Sequence, residues 1–199
     1  MFELGLAHTF RGDAATGAAW IGKVLDECER FGERWAYAYG LFASAYAAWA
    51  VNDLGQARVR ARECVRLNHA FRDLVGLVLG VELLALLATE PEQDGTPGDL
   101  REAATLQGAA HTLWRSVGEP LFGSDSFNAA HEACARRVRA GLSKAEAAEA
   151  FRRGTTLDLD ELVARALDRR SGGQAGEAQR PHGRTAVGAL REPLAGQRE

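Results

Sequence analysis

Several residues whose side chains can take part in chemistry lie close together in the stretch LQGAAHTLWRSVGEPLF, residues 106–122. A catalytic histidine needs a nucleophile or an orienting acid within hydrogen-bonding distance. Ser116 follows His111 at a spacing that places it about 140° around a helix, so the two side chains do not face each other. The spacing instead predicts that Trp114 lies on a buried stripe and that His111 is a partly buried structural residue. Residues 118–120 are predicted to end the helix.

A metal site is the second chemical possibility. His131 and Cys134 in AAHEACARR share a helix face at i, i+3 and could supply two ligands. Zinc needs three or four ligands, and no second pair at ligand spacing follows. A cryptic metalloenzyme would therefore also need folding to bring in His111. Because GxxxxGK[ST], GxGxxG and HExxH are all absent, the sequence predicts no enzymatic activity, no metal and no cofactor.

Aromatic residues offer a third kind of site. Tyr39, Phe42, Tyr46 and Trp49 step by three, four and three residues, so they line one face of a helix. Such a face packs in a core, or it lines a groove that binds a helix or peptide. An arginine-rich helix face at 58–66 is predicted to be a solvated outer surface, with contact to acidic partners as the alternative.

The composition is that of an ordinary water-soluble domain. The chain has 199 residues, of which 26% are charged, and a formal net charge of −3, so it has no basic footprint for nucleic acid. Three cysteines far apart in the sequence, Cys28, Cys64 and Cys134, favour reduced, buried thiols. The longest apolar stretch, 74–88, is interrupted by Glu82 and is too short for a bilayer. With no secretion signal visible at the N-terminus, these features predict a cytoplasmic protein.

The elements that position these residues are predicted to be helices. Apolar periodicity places them near 14–31, 33–51, 53–68, 71–89, 99–116, 125–140, 143–153 and 158–169. Four of them start at sequences that match or resemble a capping box, beginning at Asp53, Asp99, Ser143 and Asp158. Asp-containing turns and the pairs FGERWA and FRDLVG recur after about 40 residues, which is typical of helical-hairpin repeats.

The two ends of the chain are predicted to differ from the repeats. FELGLAHTFRGD resembles the second half of a helix that runs into a turn, so the first repeat is expected to start before residue 1. Such an uncapped start favours a piece of a longer architecture, or docking onto another subunit. Residues 170–199 have little periodicity and are predicted to be disordered.

The turns NDLGQA and GDLREA, followed by small residues at Ala57, Ala61 and Cys64, resemble tetratricopeptide repeats. In that motif small side chains let two helices pack closely, and Ala45 occupies the equivalent position on the first helix. The resemblance implies an all-α fold, a right-handed α–α superhelix of tetratricopeptide-like hairpins spanning 1–169. The units are divergent, because the final proline is missing and the period exceeds the usual value of about 34.

A more specific resemblance comes from three segments in order: 106–121, HEACARRVRAGL at 131–142 and FRRGTTLDLDELVARAL at 151–167. They look like the C-terminal repeat region of bacterial STAND-class ATPase and LuxR-type transcriptional regulators. In those proteins the repeats act as a sensor or docking arm, while other modules carry the ATPase and DNA-binding functions. Neither module is visible in this sequence, so the resemblance implies a truncated or split regulator.

We therefore expect a non-enzymatic helical-repeat module that binds a protein, with Tyr39, Phe42, Tyr46 and Trp49 as the contact surface. The candidate partner is the ATPase or DNA-binding part of the same regulatory system, and no membrane contact is expected. The alternative is a DNA-binding regulator that acts through an unrecognised C-terminal domain. The sequence does not define the oligomeric state.

Overall fold

The computed structural model describes residues 1–92, 94–118 and 120–168, and this part of the chain contains helices and no strand. Nine α-helices and one short 3₁₀ turn, Pro120–Gly123, make up the described part. The helices are α1 (Phe2–Phe10), α2 (Ala14–Phe31), α3 (Arg34–Ala50), α4 (Leu54–Phe71), α5 (Leu74–Ala88), α6 (Leu100–Val117), α7 (Asp125–Gly141), α8 (Lys144–Thr155) and α9 (Leu159–Leu167).

Over the described residues the prediction of an all-α fold is confirmed, and α2 to α9 lie within a few residues of the eight predicted helices. The N-terminal segment predicted as part of a helix forms α1 and ends in a turn at Gly12, which has a φ of 82°. The predicted disordered segment, 170–199, lies outside the described residues.

Acidic side chains begin most of the helices. Asp13 and Asp53 accept a backbone hydrogen bond at the starts of α2 and α4, and Glu33 and Asp73 do so at the starts of α3 and α5. Each cap offsets part of the cost of the unpaired N–H groups in a first turn. Asp53 follows Asp13, and Asp73 follows Glu33, after the same interval of about 40 residues. The repeat in the sequence is therefore also a repeat of helix starts.

The four predicted capping boxes form to different extents. Ser143 and Asp158 each make the full reciprocal box with a glutamate three residues later. Asp53 and Asp99 accept the expected backbone bond at their helix starts. Glu102, which would complete the box of Asp99, instead pairs with Arg165 of α9. A tertiary ion pair has therefore replaced a local contact.

Successive helices pack as hairpins. α1 packs on α2, α3 on α4 and α5 on α6, while α3 also contacts both α1 and α5. α8 packs against α6, and α9 contacts α4 and α6. α7 does not continue this alternation, because it packs against both α5 and α6.

Small residues allow a close approach between α6 and α8. A Cβ added at Gly108 would lie 2.9 Å from the backbone carbonyl carbon of Phe151 and closer still to its oxygen. With α5 and α8 against it, α6 is buried at every position from 102 to 110, well beyond the single predicted stripe.

The prediction that the arginine-rich face of 58–66 is solvated is wrong at Arg58, which is only 6% exposed. Its guanidinium donates to the carbonyl oxygens of Leu87, Glu90 and Pro91 and lies 3.4 Å from the Glu92 carboxylate. The chain that leaves α5 therefore folds back over α4, and Arg58 anchors it there. The helical pattern of the sequence alone does not show that the segment after α5 buries Arg58.

The predictions about the cysteines and about membrane-spanning helices concern the same described residues. The three cysteines are buried and unpaired, as predicted. No helix in the described ranges is both long and apolar enough to cross a bilayer.

Candidate functional site

The histidine of the 106–122 stretch lies away from the core. His111 is exposed, and its ring is 5.7 Å from that of Phe151, so the prediction of a partly buried histidine is wrong. Trp114 is 3% exposed, as the spacing predicts, and Ser116 is exposed. Gly118 ends α6 with a φ of 133°, a conformation that favours glycine and confirms the predicted stop.

Trp114 belongs to a polar cluster between α5, α6 and α7. Its Nε1 donates to Glu82 Oε1 at 3.1 Å, and His131 Nδ1 lies 2.9 Å from Glu82 Oε2. The Glu82 side chain is only 10% exposed. The hydrogen bond to Glu82 raises the pKa of His131, while burial acts against it. Glu82, which interrupts the apolar run of α5, is thus the centre of a three-helix contact.

The residues considered for a metal site meet other partners. Cys134 donates to the carbonyl oxygen of Ala85, and burial raises the pKa of its thiol to about 12. His131 is engaged by Glu82, and His111 lies beside Phe151. Over the described ranges, no three histidine, cysteine or carboxylate side chains are grouped so that they could hold a metal.

The four aromatic residues of α3 share one face but differ in exposure. Phe42 and Tyr46 are buried, and Tyr39 and Trp49 are partly buried nearer the two ends of the helix. We call this side of α3, formed by Tyr39, Phe42, Tyr46 and Trp49, the aromatic face. Its centre packs in the core, and both ends reach towards solvent.

Carboxylates just before and just after α5 accept hydrogen bonds from polar atoms of these aromatic residues and from Trp35. Asp73 Oδ2 accepts from Tyr39 Oη at 2.9 Å and from Trp35 Nε1 at 2.7 Å. Glu90 accepts from Trp49 Nε1 at 3.2 Å. Burial and the Asp73 contact raise the pKa of Tyr39, which keeps this donor protonated. The aromatic rings are therefore held in fixed orientations.

Two helices lie over the aromatic face. Phe2 of α1 stacks on Tyr39 with ring centres 5.6 Å apart, and Phe10 of α1 meets Tyr46 edge to face at 5.1 Å. Phe127 of α7 contacts Tyr46 at 5.8 Å and Phe10 at 5.1 Å. Edge-to-face and offset geometries of this kind each add about 0.5–1.5 kcal/mol to the apolar burial.

An open cleft of about 370 Å³ remains between α1, α3 and the start of α7. Its walls are mainly aromatic and aliphatic: Phe2, Leu6, Phe10, Tyr39, Phe42, Leu79, Phe122 and Phe127. Phe122 is 56% exposed at the rim, although it is a large apolar side chain. Apolar clefts of this size with few polar groups are typical of sites that bind apolar ligand groups.

Carboxylates lie at the cleft and beneath it. Glu3 is the charged residue that lines the cleft, and it is exposed. Asp73 lies behind Tyr39, and Glu82 lies in the layer below Phe42 and Phe127. The negative carboxylates favour a cationic group on anything that fills the cleft.

The sequence predicts two of the cleft-lining residues, Tyr39 and Phe42, among its four contact residues. It does not identify the walls supplied by α1 and α7, because nothing local shows that those helices meet α3. The one local signal is Phe122, a large apolar residue in a turn between two helices.

Comparison of the chain with family models, curated proteins and solved structures finds no match.

Proposed function

We propose that this chain is a non-enzymatic helical-repeat module that binds a protein segment in the cleft between α1, α3 and α7. The segment would present one or two large apolar side chains next to a lysine or arginine. The observation that carries the proposal is the open cleft itself, with its aromatic walls and the exposed Phe122 at its rim.

Charge supports a protein partner rather than a nucleic acid at this surface. Glu3 lines the cleft, and a phosphate backbone would be repelled by it. A basic side chain of a peptide would approach both Glu3 and the faces of Phe2 and Tyr39. Such contacts combine ion pairing with cation–π attraction.

The architecture supports the same proposal. Hairpins α1–α2, α3–α4 and α5–α6 pack in sequence, with capping residues that recur after about 40 residues. We propose that they form a right-handed superhelix related to tetratricopeptide repeats, in which the first helices of the hairpins form the binding side. Its place as the sensor or docking arm of a bacterial STAND-class or LuxR-type regulator rests on the sequence resemblance at 106–167.

A peptide selection tests this function, because it requires no identified partner. The purified chain is used to select from a random-peptide phage library, and enriched peptides are measured by fluorescence anisotropy. We expect enriched peptides to pair a large apolar residue with a basic one. Failure to enrich any sequence, or enrichment of acidic sequences, would contradict the proposal.

Matched variants locate the binding site. Glu3→Lys reverses the charge at the cleft and should weaken binding roughly five- to tenfold, whereas Asp26→Lys makes the same change on the exposed side of α2 and should not. Phe122→Ala should also weaken binding, with Phe31→Ala as its control, since Phe31 is an exposed phenylalanine at the end of α2. Equal loss in a variant and its control would place binding elsewhere.

A further inference from the structure

Phe127 of α7 occupies the central part of the aromatic face. Its ring centre lies 5.1 Å from Phe10, 5.9 Å from Phe42 and 5.8 Å from Tyr46. The same residue forms one wall of the open cleft. A partner side chain that enters the cleft therefore meets Phe127, and the face would extend further if Phe127 moved away.

Polar contacts help to attach α7 to α5. His131 meets Glu82, the Cys134 thiol donates to the Ala85 carbonyl, and the Arg137 guanidinium donates to Thr89 Oγ1 at 2.9 Å. In α7 only Cys134 and Val138 are fully buried, although the helix has 17 residues. A helix with so few buried apolar side chains belongs to the part of a fold that opens at low free-energy cost.

The segment that leads into α7 is strained. Leu121 and Phe122 have φ values of 51° and 54°, a left-handed conformation that is unfavourable for residues with a Cβ. Gly118 and Gly123 flank them with φ values of 133° and 65°. Release of α7 would let Leu121 and Phe122 return to ordinary backbone angles, so the strain favours release.

We propose that the N-terminal half of α7, residues 125–133, is a displaceable cover of the aromatic face, and that the contact between His131 and Glu82 is its pH-sensitive latch. This inference rests on the proposed function, because it concerns regulation of the same cleft. When His131 is protonated, a charge-assisted hydrogen bond holds α7 on α5. Loss of the proton weakens this bond, and Phe127 then leaves the aromatic face more readily.

The groups that surround His131 come from α3, α5, α6 and α7 itself. α5 contributes Glu82, and α6 contributes Gln107 and Trp114, neither of which titrates. Tyr46 of α3 borders the same small cavity, and burial raises its pKa to about 12. On α7 itself, the Glu132 carboxylate also raises the pKa of His131.

The sign of the pH effect follows from this pKa shift. His131 has a pKa raised above the ordinary histidine value of 6.5 when α7 is docked. The latch therefore stabilises the docked state fully below that ordinary value, and the contribution is lost as the pH rises through the raised pKa. The cover is closed under acidic conditions and opens more often under mildly alkaline ones.

Hydrogen exchange measured by mass spectrometry on the full chain tests the latch without any partner. After correction for intrinsic exchange rates, the protection of 125–133 should fall roughly tenfold between about pH 6 and about pH 8.5, the ratio expected when a charged hydrogen bond becomes a neutral one. Protection of α4 should change much less, since Ala57, Ala61 and Cys64 pack in the core and lie far from His131 in sequence.

Variants show whether His131 causes the effect. His131→Gln keeps a hydrogen-bond donor without a titrating ring, so protection should be lower and independent of pH. His111→Gln removes an exposed histidine from α6 and should behave like the unmodified chain. Protection that is independent of pH in the unmodified chain, or equally pH-dependent in His131→Gln, would overturn the latch.

Peptide binding distinguishes failure of the latch from failure of the proposed function. A selected peptide should bind the unmodified chain more tightly as the pH rises, and should bind His131→Gln with the same affinity at both pH values, because His131 does not line the cleft. Peptide binding with pH-independent exchange of α7 would leave the proposed function standing and overturn the latch. The pH-dependent exchange without peptide binding at either pH would support the latch and contradict the proposed function.

Discussion

The contact between α6 and α8 gives a sharp test of the packing. In Gly108→Ala, the new Cβ would lie 2.9 Å from the carbonyl carbon of Phe151, where ordinary contacts begin at 3.4 Å. The obstacle is backbone rather than a flexible side chain, so the two helices must move apart. The cost of overpacking is about 1–3 kcal/mol, and the better helix propensity of alanine returns about 0.5–1 kcal/mol.

We therefore expect Gly108→Ala to lower the free energy of unfolding by about 1–2 kcal/mol and Tm by a few degrees, at about 2–4 °C per kcal/mol. Urea denaturation followed by circular dichroism measures this change. Gly22→Ala is the matched control, because a Cβ added at Gly22 in α2 would have no atom within 4 Å apart from the neighbouring chain of its own helix. That variant should be more stable than the unmodified chain by about 0.5–1 kcal/mol. A Gly108→Ala chain as stable as the control variant would refute the described approach of α6 and α8.

Three further outcomes are expected. Arg72 ends α4 with a φ of 55°, so Arg72→Gly should raise the free energy of unfolding by up to about 1 kcal/mol in thermal or urea melts, and a loss of stability would argue against the left-handed cap. The buried thiols of Cys64 and Cys134 have pKa values raised to about 12, so a thiol reagent at about pH 8 should modify them only after denaturant is added, and rapid reaction of the folded chain would contradict their burial. Arg165→Ala leaves the buried Glu102 without its cation and should cost about 1–2 kcal/mol, less than for a fully buried pair because Arg165 is 34% exposed. That loss should shrink as the pH is lowered, because burial raises the pKa of Glu102 and the carboxyl then takes up a proton more readily; a loss that does not change with pH would argue against the pair.

The sequence predicts the helices well because the signals that define them are local. Asp53 and Ser143 start helices through bonds to their own first turns, and Gly118 stops one through its own backbone angle. These effects involve residues within a few positions of each other, so they can be identified without knowledge of the rest of the fold.

The site is predicted only in part, because long-range packing decides it. The spacing of Tyr39 and Phe42 indicates a shared face, but the cleft exists only where α1 and α7 meet that face. The exposure of His111 and the burial of Arg58 depend likewise on what folds over α6 and α4. Glu82 is the most informative signal, because a carboxylate in an otherwise apolar helix requires a partner from elsewhere in the fold.

Asp73 links a helix start to the contact between two hairpins. One of its oxygens accepts from the backbone N–H groups of Val75 and Gly76, and the other accepts from Trp35 and Tyr39 on the preceding hairpin. The contacts with the α3–α4 hairpin therefore hold the Asp73 side chain in the orientation in which it caps α5. In a repeat array, stability is a sum of unit terms and nearest-neighbour coupling terms. A carboxylate shared in this way raises the coupling term, so these two hairpins should melt as one cooperative unit rather than fray one after the other.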